Sequence, residues 1–415
     1  MEVINKRIAM FSYHTCPLAS YEGKETGGMN VYVLELSKKL VKKGFTIDIF
    51  TRSQDRRQPK IVNVEKNLRV IHLKAGKEKN IAKKNLINFI PEFVESFNKF
   101  MEKEGIEYDF FHCHYYLSGL AAYHIKKHSH KNTPFIITFH TLALMKNLVA
   151  RGELEREENE RVEAEKFLTI HADKIIAPSE SDSLYLQYLY ECKEEKIYVI
   201  PPGVDKNIFK PMSKKLSKSK INSNQNDRFI LFVGRIEPLK GIDVLMYATK
   251  ILIEKNSSFN NLCLLIVGGD ISKKTKLSNE LKKLQELRHT LNLSTNVKFI
   301  GQVRQEMLPY YYNASELVVI PSHYESFGMA ALEAMSCGIP VITTNVAGIS
   351  ELLDEKHQAL ITTSNNPLLL ASQIEDLLTD EKVHEKLGRE VFLKVQDLSW
   401  NNISDRIIKV YNTFT

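Results

Sequence analysis

Cysteine is scarce in this 415-residue sequence. The five cysteines stand far apart and form no CxxC pair: Cys16, Cys113, Cys192, Cys263 and Cys337. This pattern excludes a zinc knuckle and a disulfide framework, and it is typical of a reducing compartment. No segment approaches the ~18 apolar residues of a membrane span, and the apolar run at residues 8–11 is too short for a signal-peptide core. We therefore expect a cytoplasmic protein without a transmembrane segment.

Several motifs of nucleotide and metal chemistry are absent as well. Without GxGxxG or GxxxxGK[ST], the usual arguments for a dinucleotide oxidoreductase and for a P-loop NTPase do not apply. Without DxD, an enzyme that clamps a diphosphate through a divalent ion has no ligand pair here. The adjacent His112, Cys113 and His114 lie on a predicted strand, where alternate side chains point to opposite faces and cannot all converge on one ion. We expect neither a metal nor a bound cofactor.

A strong charge of one sign is also missing. The chain has 57 Lys and Arg against 50 Asp and Glu, and a net charge of +7 is too small for this length to indicate nucleic-acid binding. It does suit an anionic small substrate. Hydrophobic residues at 43% and charged residues at 26% are close to the globular average, which excludes a disordered chain.

Short apolar runs alternate with helical patterns along both halves of the chain. Such alternation predicts parallel strands joined by crossover helices. The polar stretch at residues 210–227, rich in Lys, Ser and Asn, is interpreted as a linker or solvated loop. We expect two doubly wound α/β domains facing across a cleft, residues 1–205 and 206–399, with a C-terminal helix at 400–415 that packs back on the first domain.

In the second half, the segment HYESFGMAALEAMSCG at residues 323–338 predicts a loop that carries Glu325 and a helix from Phe327 to Gly338. Gly328 allows close backbone approach, and the free amides of the first turn suit a phosphate. Glu333 lies about 12 Å along the helix from Glu325, so the two carboxylates bracket a diphosphate-sized gap. The alternative is an ordinary amphipathic helix with two solvated glutamates.

The segment GRIEPLKGIDVL at residues 234–245 follows an apolar strand and carries two cations. Arg235 lies at the strand end and Lys240 lies just before the next helix, so both reach the same sheet edge. Two such cations can replace a metal ion opposite a leaving diphosphate. The alternative is a solvated Arg and Lys in an ordinary loop.

Two segments of the first half also carry candidate residues. Gly27 and Gly28 immediately precede a helix, where paired glycines let a substrate approach the backbone. His140 and Thr141 end the strand in TFHTLALMKN, although a lone histidine in such a place is more often structural than catalytic.

Taken together, these segments resemble the family-4 retaining glycosyltransferases of GT-B fold. The resemblance is carried by GRIEPLKG, ESFGMAALEA and IPPGVD across the family. HTCPLAS, GGMNVYV, HYYLSG and HTLALMKN are similar to the subgroup of inositol-phosphate glycosyltransferases and sucrose-phosphate synthases. The resemblance implies a UDP-sugar donor in the C-terminal domain, an acceptor in the N-terminal domain, retention at the anomeric carbon and no metal.

The resemblance also implies individual roles, with His140, Arg235, Lys240 and Glu325 catalytic. The donor site would comprise Arg235 and Lys240 on the diphosphate, Glu333 on the ribose, Glu325 on the sugar hydroxyls, Ser326, Phe327 and Gly328 beside them, Gly28 at the phosphate edge and His140 near the reacting carbon. The acceptor site would comprise Asn30 on ring hydroxyls, and Lys83, Tyr115, Thr141 and Arg161 around a phosphate. Lys77, Lys79 and Lys84 are nearby alternatives to Lys83.

The resulting hypothesis is an enzyme that moves glucose or N-acetylglucosamine from UDP to a phosphorylated polyol or sugar such as inositol phosphate. The alternatives are a sucrose-phosphate synthase-like enzyme using fructose 6-phosphate, and transfer to a lipid or polysaccharide acceptor. A catalytically inactive sugar-nucleotide sensor is a hypothesis of another class. Peripheral membrane contact and a homodimer are left open.

Overall fold

The computed structural model describes residues 6–19, 27–129, 133–271, 277–345, 348–363 and 365–414. These residues form two compact units, the first made of residues 6–19, 27–203 and 400–414 and the second of residues 204–399. The observed boundary after residue 203 lies two residues before the boundary after residue 205 that the sequence predicts. Among the helices of these described residues, none is both long and apolar enough to cross a membrane.

The first unit is built on a sheet that has eight strands within the described residues. They are β1 (Arg7–Phe11), β2 (Thr46–Arg52), β3 (Ile61–Glu65), β4 (Leu68–Leu73), β5 (Phe110–His114), β6 (Phe135–Thr138), β7 (Lys174–Ala177) and β8 (Ile197–Val199). Their order is β3-β4-β2-β1-β5-β6-β7-β8, and β3 alone among them pairs antiparallel. The helices are α1 (Gly28–Lys42), α2 (Ile90–Glu104), α3 (Tyr116–Ser129), α4 (Ala143–Val149), α5 (Asn159–His171) and α6 (Glu180–Tyr190).

The second unit repeats this architecture around a smaller sheet. Its strands are β9 (Arg228–Val233), β10 (Leu262–Val267), β11 (Val297–Gly301), β12 (Leu317–Ile320), β13 (Val341–Thr344) and β14 (Ile361–Thr362), in the order β11-β10-β9-β12-β13-β14. Its helices are α7 (Lys214–Lys220), α8 (Ile242–Lys255), α9 (Asn279–Thr290), α10 (Leu308–Ala314), α11 (Met329–Ser336), α12 (Pro367–Thr379) and α13 (Glu381–Lys394). Two doubly wound α/β units are therefore confirmed.

The interpretation of residues 210–227 as a solvated linker is wrong. The stretch contains α7, whose first turn is capped by the Ser213 hydroxyl, and it packs against α10. Lys218 is buried, and its ammonium donates to the carbonyls of Gln225 and Asp227 at 2.7 and 2.5 Å. The segment looks polar because its burial uses a lysine stem and a serine cap in place of apolar side chains.

The last helix of the described residues, α14 (Trp400–Tyr411), belongs to the first unit, which confirms the expected packing. The Trp400 ring is buried with its centroid 5.2 Å from that of Tyr32 on α1. A side chain at Gly203 would meet the Trp400 Cα at 2.7 Å, so glycine is required where the chain passes beneath this helix.

Each sheet has one point where the direction of winding reverses. In the first unit this point lies between β1 and β5, and in the second between β9 and β12. In open α/β sheets ligands bind at the carboxyl ends of the strands beside such a reversal. The two edges therefore locate the candidate site residues within each unit.

Towards the amino ends of its strands, the first sheet contains a buried carboxylate that binds several neighbouring side chains. Asp48 is fully buried and accepts hydrogen bonds from Arg7 at 2.8 Å, Arg69 at 2.7 Å and Tyr108 at 2.7 Å. Burial alone would raise the pKa of Asp48, but the hydrogen bonds from Arg69 and Tyr108 and the two positive charges hold it below its usual value. The stabilisation is therefore present above the ordinary carboxylate pKa and is lost as the pH falls through the lowered value.

Replacing this carboxylate should destabilise the first unit without touching the site edge. Asp48→Ala leaves two guanidinium groups without their shared partner, so we expect the free energy of unfolding to fall by about 3–5 kcal/mol. Urea denaturation followed by the fluorescence of Trp400, the one tryptophan of the chain and a buried residue of this unit, measures the loss. Asp55→Ala removes a half-exposed carboxylate whose partner Arg57 lies at the surface, and it should change the midpoint little. Equal midpoints for Asp48→Ala and the wild type would contradict this account.

Candidate active site

Two residues at the carboxyl edge of the first sheet have left-handed backbone conformations. Tyr115 follows β5 with φ 75°, and His140 lies just past β6 with φ 63°. The Tyr115 amide donates to the Thr138 carbonyl at 2.9 Å, which joins the two strand ends. Such strained non-glycine residues persist only where the surroundings fix them, and they cluster at functional sites.

The residues expected around an acceptor phosphate lie together at this edge. The Arg161 guanidinium carbon is 4.8 Å and the Lys83 ammonium 5.4 Å from the centroid of the Tyr115 ring. Arg161 also donates to the carbonyl and hydroxyl oxygens of Thr141 at 2.9 and 3.1 Å. We call Lys83, Tyr115, Thr141 and Arg161, with Lys146 described below, the cation cluster.

Arg161 is a buried cation and not a solvated surface charge, because its side chain is only 3% exposed. It pairs with Glu157 and Glu165, each at 2.7 Å. Burial alone would lower the pKa of Arg161, but Tyr115 and the two carboxylates raise it well above its usual value, so the group stays charged. The Tyr190 hydroxyl donates a hydrogen bond to the Glu165 carboxylate at 2.6 Å, which fixes the position of that carboxylate.

Sequence reasoning missed one member of the cluster. Lys146 on α4 contacts Glu157 Oε1 at 2.7 Å, the same oxygen that Arg161 Nη1 contacts. Burial and the charges of Arg161 and Lys83 lower the pKa of Lys146 to about 8, against the opposing effect of Glu157. The signal was its place in TFHTLALMKN, the segment that also supplies His140 and Thr141.

The buried side chain of Arg52 anchors the loop that precedes Lys83. Arg52 is almost fully buried and donates to the carbonyls of Lys77 and Lys79 at 3.0 and 2.7 Å. Lys84 turns to the surface, where it pairs with Glu158 at 3.6 Å. Of the four lysines considered in this segment, Lys83 is the one whose ammonium lies over the Tyr115 ring.

Asn30 and Gly28 lie on the first turn of α1. Asn30 is buried, its amide donates to the Cys16 carbonyl at 2.9 Å, and its oxygen accepts from Thr15 at 3.1 Å. In this structure the side chain therefore fixes the loop after β1. Gly28 is the first residue of the helix and Gly27 is its N-cap, so the helix begins one residue earlier than the glycine pair predicts.

His140 is packed among other rings at the same edge. Its centroid lies 5.0 Å from that of Tyr32, and its Nε2 lies 3.0 Å from His114 Nδ1. Burial lowers the pKa of His140 to about 3, so the ring is neutral. Within the described ranges, no group of three side chains that could hold a metal ion is found.

In the second unit, two of the expected donor-site residues contact each other. Lys240 pairs with Glu325, and both side chains are mostly buried. Arg235 is exposed and pairs with Glu237 at 2.8 Å. The loops after β9 and β12 are joined by a hydrogen bond from the His323 amide to the Leu239 carbonyl at 2.8 Å.

The helix after Glu325 begins slightly later than expected. It starts at Met329, with Gly328 at φ 101° as the residue before it. The Phe327 side chain is buried, and the Ser326 hydroxyl lies 2.9 Å from that of Tyr324. What this turn offers a ligand is therefore mainly its backbone amides.

Glu333 is not a solvated glutamate, which rules out that alternative for it. It is buried on α11 and accepts a hydrogen bond from the Tyr312 hydroxyl at 2.8 Å. Burial raises the pKa of Glu333 to about 7, against the opposing hydrogen bond from Tyr312.

Three glycines that bring backbones together at this edge were not singled out from sequence. A Cβ at Gly268 would lie 1.8 Å from the Gly234 carbonyl oxygen, and one at Gly241 would lie 2.1 Å from that of Pro321. A Cβ at Gly348 would lie 2.2 Å from the Phe327 Cα. The signal for Gly268 was a glycine directly after the apolar run of β10.

Comparison with known proteins identifies the family. The family model described as Glycosyltransferase Family 4 matches residues 26–207, and the one described as Glycosyl transferases group 1 matches residues 213–392. A D-inositol 3-phosphate glycosyltransferase of Corynebacterium jeikeium is 32% identical over 98% of this chain and 96% of its own length. The chain belongs to glycosyltransferase family 4. A D-inositol 3-phosphate glycosyltransferase of Thermobifida fusca is 31% identical to this family-4 enzyme, over 98% of the chain and 93% of its own length.

Solved structures show that the family-4 enzyme has the GT-B fold. Sucrose-phosphate synthase from Thermosynechococcus elongatus superposes with a TM-score of 0.89 at 29% identity, covering 99% of both chains. Anabaena HepE, solved in complex with UDP and glucose, superposes with a TM-score of 0.76 at 16% identity over 99% of this chain and 100% of its own. The second likeness shows the fold alone.

The cation cluster of the glycosyltransferase should change its charge near pH 8. We expect the Lys146 amine to titrate at about that pH, because burial and two neighbouring cations disfavour its charged form. Glu157→Gln removes the carboxylate that favours the charge and should lower the pKa further. Reductive ¹³C-methylation and NMR titration, with Lys146→Arg to assign the resonance, measures both values. A Lys146 resonance that titrates above pH 10 would contradict the buried arrangement.

Proposed function

We propose that this glycosyltransferase transfers glucose or N-acetylglucosamine from a UDP-sugar to a phosphorylated polyol or sugar, with an inositol phosphate as the leading acceptor. The observation that carries the proposal is the cation cluster of the first unit. The relatives of the chain that are named D-inositol 3-phosphate glycosyltransferase support the same acceptor class.

The repulsion among the cations of the cluster favours an anionic acceptor. The charges of Arg161 and Lys83 already contribute to lowering the pKa of Lys146, so the three cations of this cluster disfavour one another. A phosphate group would bring negative charge beside these cations and accept charge-assisted hydrogen bonds from several donors. A neutral polyol would bring no charge to offset the repulsion among the cations.

The donor side of the proposal places the UDP-sugar on the second unit. Arg235 and Lys240 hold the diphosphate, and the amides before α11 add hydrogen-bond donors and the positive end of a helix dipole. Glu333 accepts from the ribose and Glu325 from the sugar hydroxyls. Anabaena HepE, a protein of the same fold, has been solved in complex with UDP-glucose.

The proposed chemistry needs no protein nucleophile. The bond between the anomeric carbon and the diphosphate oxygen breaks, and the acceptor hydroxyl oxygen bonds the same face of that carbon. The acceptor proton passes to the departing phosphate oxygen. The chain contributes position and charge: Arg235 and Lys240 stabilise the leaving UDP, and His140 contacts the transferred sugar.

A second candidate is synthesis of sucrose phosphate from fructose 6-phosphate. The superposition on sucrose-phosphate synthase at 29% identity favours it. Both candidates use a phosphorylated acceptor, so the cation cluster serves either. A catalytically inactive sensor is distinguished from both, because it would bind UDP-sugar without releasing UDP in the presence of acceptors.

The donor proposal predicts a large loss of turnover in Lys240→Ala. Removing a preorganised charge partner of a leaving group costs about 10²–10³-fold in kcat. Steady-state UDP release, measured in EDTA, tests this role together with the metal-free mechanism. Lys250→Ala, which breaks an ion pair along α8, is the matched control and should keep wild-type kcat. A wild type inactive in EDTA and restored by Mg²⁺, or a Lys240→Ala variant with wild-type kcat, would contradict the proposal.

The acceptor proposal predicts that Lys83 matters and its neighbour does not. Lys83→Ala removes a charge-assisted donor worth about 1.5–3 kcal/mol, so kcat/KM for the phosphorylated acceptor should fall by roughly tenfold to a hundredfold. Lys84→Ala, one residue away at the surface, should leave it unchanged. UDP affinity should be the same in both variants. Equal kcat/KM for phosphorylated and dephosphorylated acceptors in the wild type would refute the phosphate site.

A further inference from the structure

A second histidine lies directly behind His140. His114, the last residue of β5, is fully buried, and its Nδ1 lies 3.0 Å from His140 Nε2. We infer that His114 is a positioning residue that donates from Nδ1 to His140 Nε2 and thereby fixes His140 as the tautomer with its proton on Nδ1. The use of that proton in catalysis rests on the proposed function, in which His140 contacts the transferred sugar.

Both rings are neutral, so each has one N–H donor and one lone pair. Burial lowers the pKa of His140 to about 3, and burial together with the neighbouring His112 and His140 places that of His114 well below its usual value. The short contact between them therefore has two possible polarities. Either His114 donates to His140, or His140 donates to His114.

The far nitrogen of His114 decides between the two polarities. His114 Nε2 is buried and has no hydrogen-bond partner in the described part of the chain. If His140 donated, the His114 proton would stand on Nε2, as a buried N–H without an acceptor. If His114 donates from Nδ1, Nε2 holds only a lone pair. Buried N–H groups without acceptors are the rarer of the two in folded proteins, so His114 is the donor.

The orientation of the His114 ring is fixed by its contact with the neighbouring ring of His112. The ring stacks on His112 with centroids 4.5 Å apart and an interplanar angle of 28°. His112 is tied to the Tyr411 hydroxyl at 2.8 Å and to the Thr138 hydroxyl at 3.1 Å. A chain of contacts therefore runs from α14 through two buried histidines to His140.

The consequence for the reaction is a defined donor. With Nε2 occupied as an acceptor, the remaining nitrogen of His140 carries a proton and can donate to a sugar hydroxyl oxygen. The other tautomer would offer that hydroxyl a lone pair instead. His114 thus sets which hydrogen bond His140 can make, without touching the sugar.

Two substitutions separate this role from simple packing. His114→Asn places an amide donor close to the position of Nδ1, whereas His114→Leu fills similar space without a donor. We expect kcat/KM for the UDP-sugar to fall at least tenfold in His114→Leu and to stay within about threefold of the wild type in His114→Asn. His128→Leu, an exposed histidine on α3, is the control and should be unchanged. Wild-type kcat/KM in a folded His114→Leu variant would overturn the inference.

A direct reading of the tautomer needs no activity. In ¹⁵N-histidine NMR of the unliganded wild type, with His140→Gln to assign the signals, His140 should carry its proton on Nδ1. The same result is expected in His114→Asn, and a mixture of tautomers in His114→Leu. A proton on His140 Nε2 in the wild type overturns the inference, even if His114→Leu does not fold. If the wild type shows the Nδ1 proton but transfers sugar from no UDP-sugar, the proposed function fails and the tautomer assignment stands.

Discussion

The parallel pairing of β5 with β6 is the constraint on which the acceptor edge depends. The hydrogen bond from the Tyr115 amide to the Thr138 carbonyl is the last one between these two strands. Beyond it, the backbone leaves each strand through a residue in the left-handed conformation, Tyr115 after β5 and His140 after β6. One of these strand ends carries the phenol ring of Tyr115, and the other carries the imidazole ring of His140. Arg161 lies against the first ring and His114 behind the second. The strain at the two turns is retained because buried contacts on both sides fix them.

In both units, cations of the candidate site form ion pairs with carboxylates of the same unit. A buried guanidinium such as Arg161 is tolerable only with partners, and Glu157 and Glu165 fill that requirement. In the second unit Lys240 is paired with Glu325 in the same way. These carboxylates hold the cations in place, so that little reorganisation is needed when an anionic substrate binds. In the first unit, three cations lie close enough together that Arg161 and Lys83 contribute to lowering the pKa of Lys146, and this repulsion is the reason we propose a phosphate as the ligand.

The sequence supports the fold better than it supports the site. Continuous apolar runs are long enough to predict the buried parallel strands, and the residues that follow them fall at the expected edges, as His140 and Lys240 do. The helix α7 was missed because Lys218 is buried through its stem, which composition cannot show. Lys146 was missed, and the partners of Arg161 with it, because their contacts depend on how α4 and α5 pack. Pairing between Lys240 and Glu325 joins residues 85 positions apart, and no local pattern encodes it.

The central claim is that the chain joins a hexose-type sugar to an acceptor through recognition of the acceptor's phosphate. Mass spectrometry of reactions that combine UDP-glucose or UDP-N-acetylglucosamine with inositol phosphate, free inositol, fructose 6-phosphate and fructose tests it most directly. The account predicts a product that contains the transferred sugar and the intact phosphate, formed only from a phosphorylated acceptor, with the anomeric configuration of the donor seen by NMR. Equal product from free inositol or free fructose, or inversion at the anomeric carbon, would contradict it.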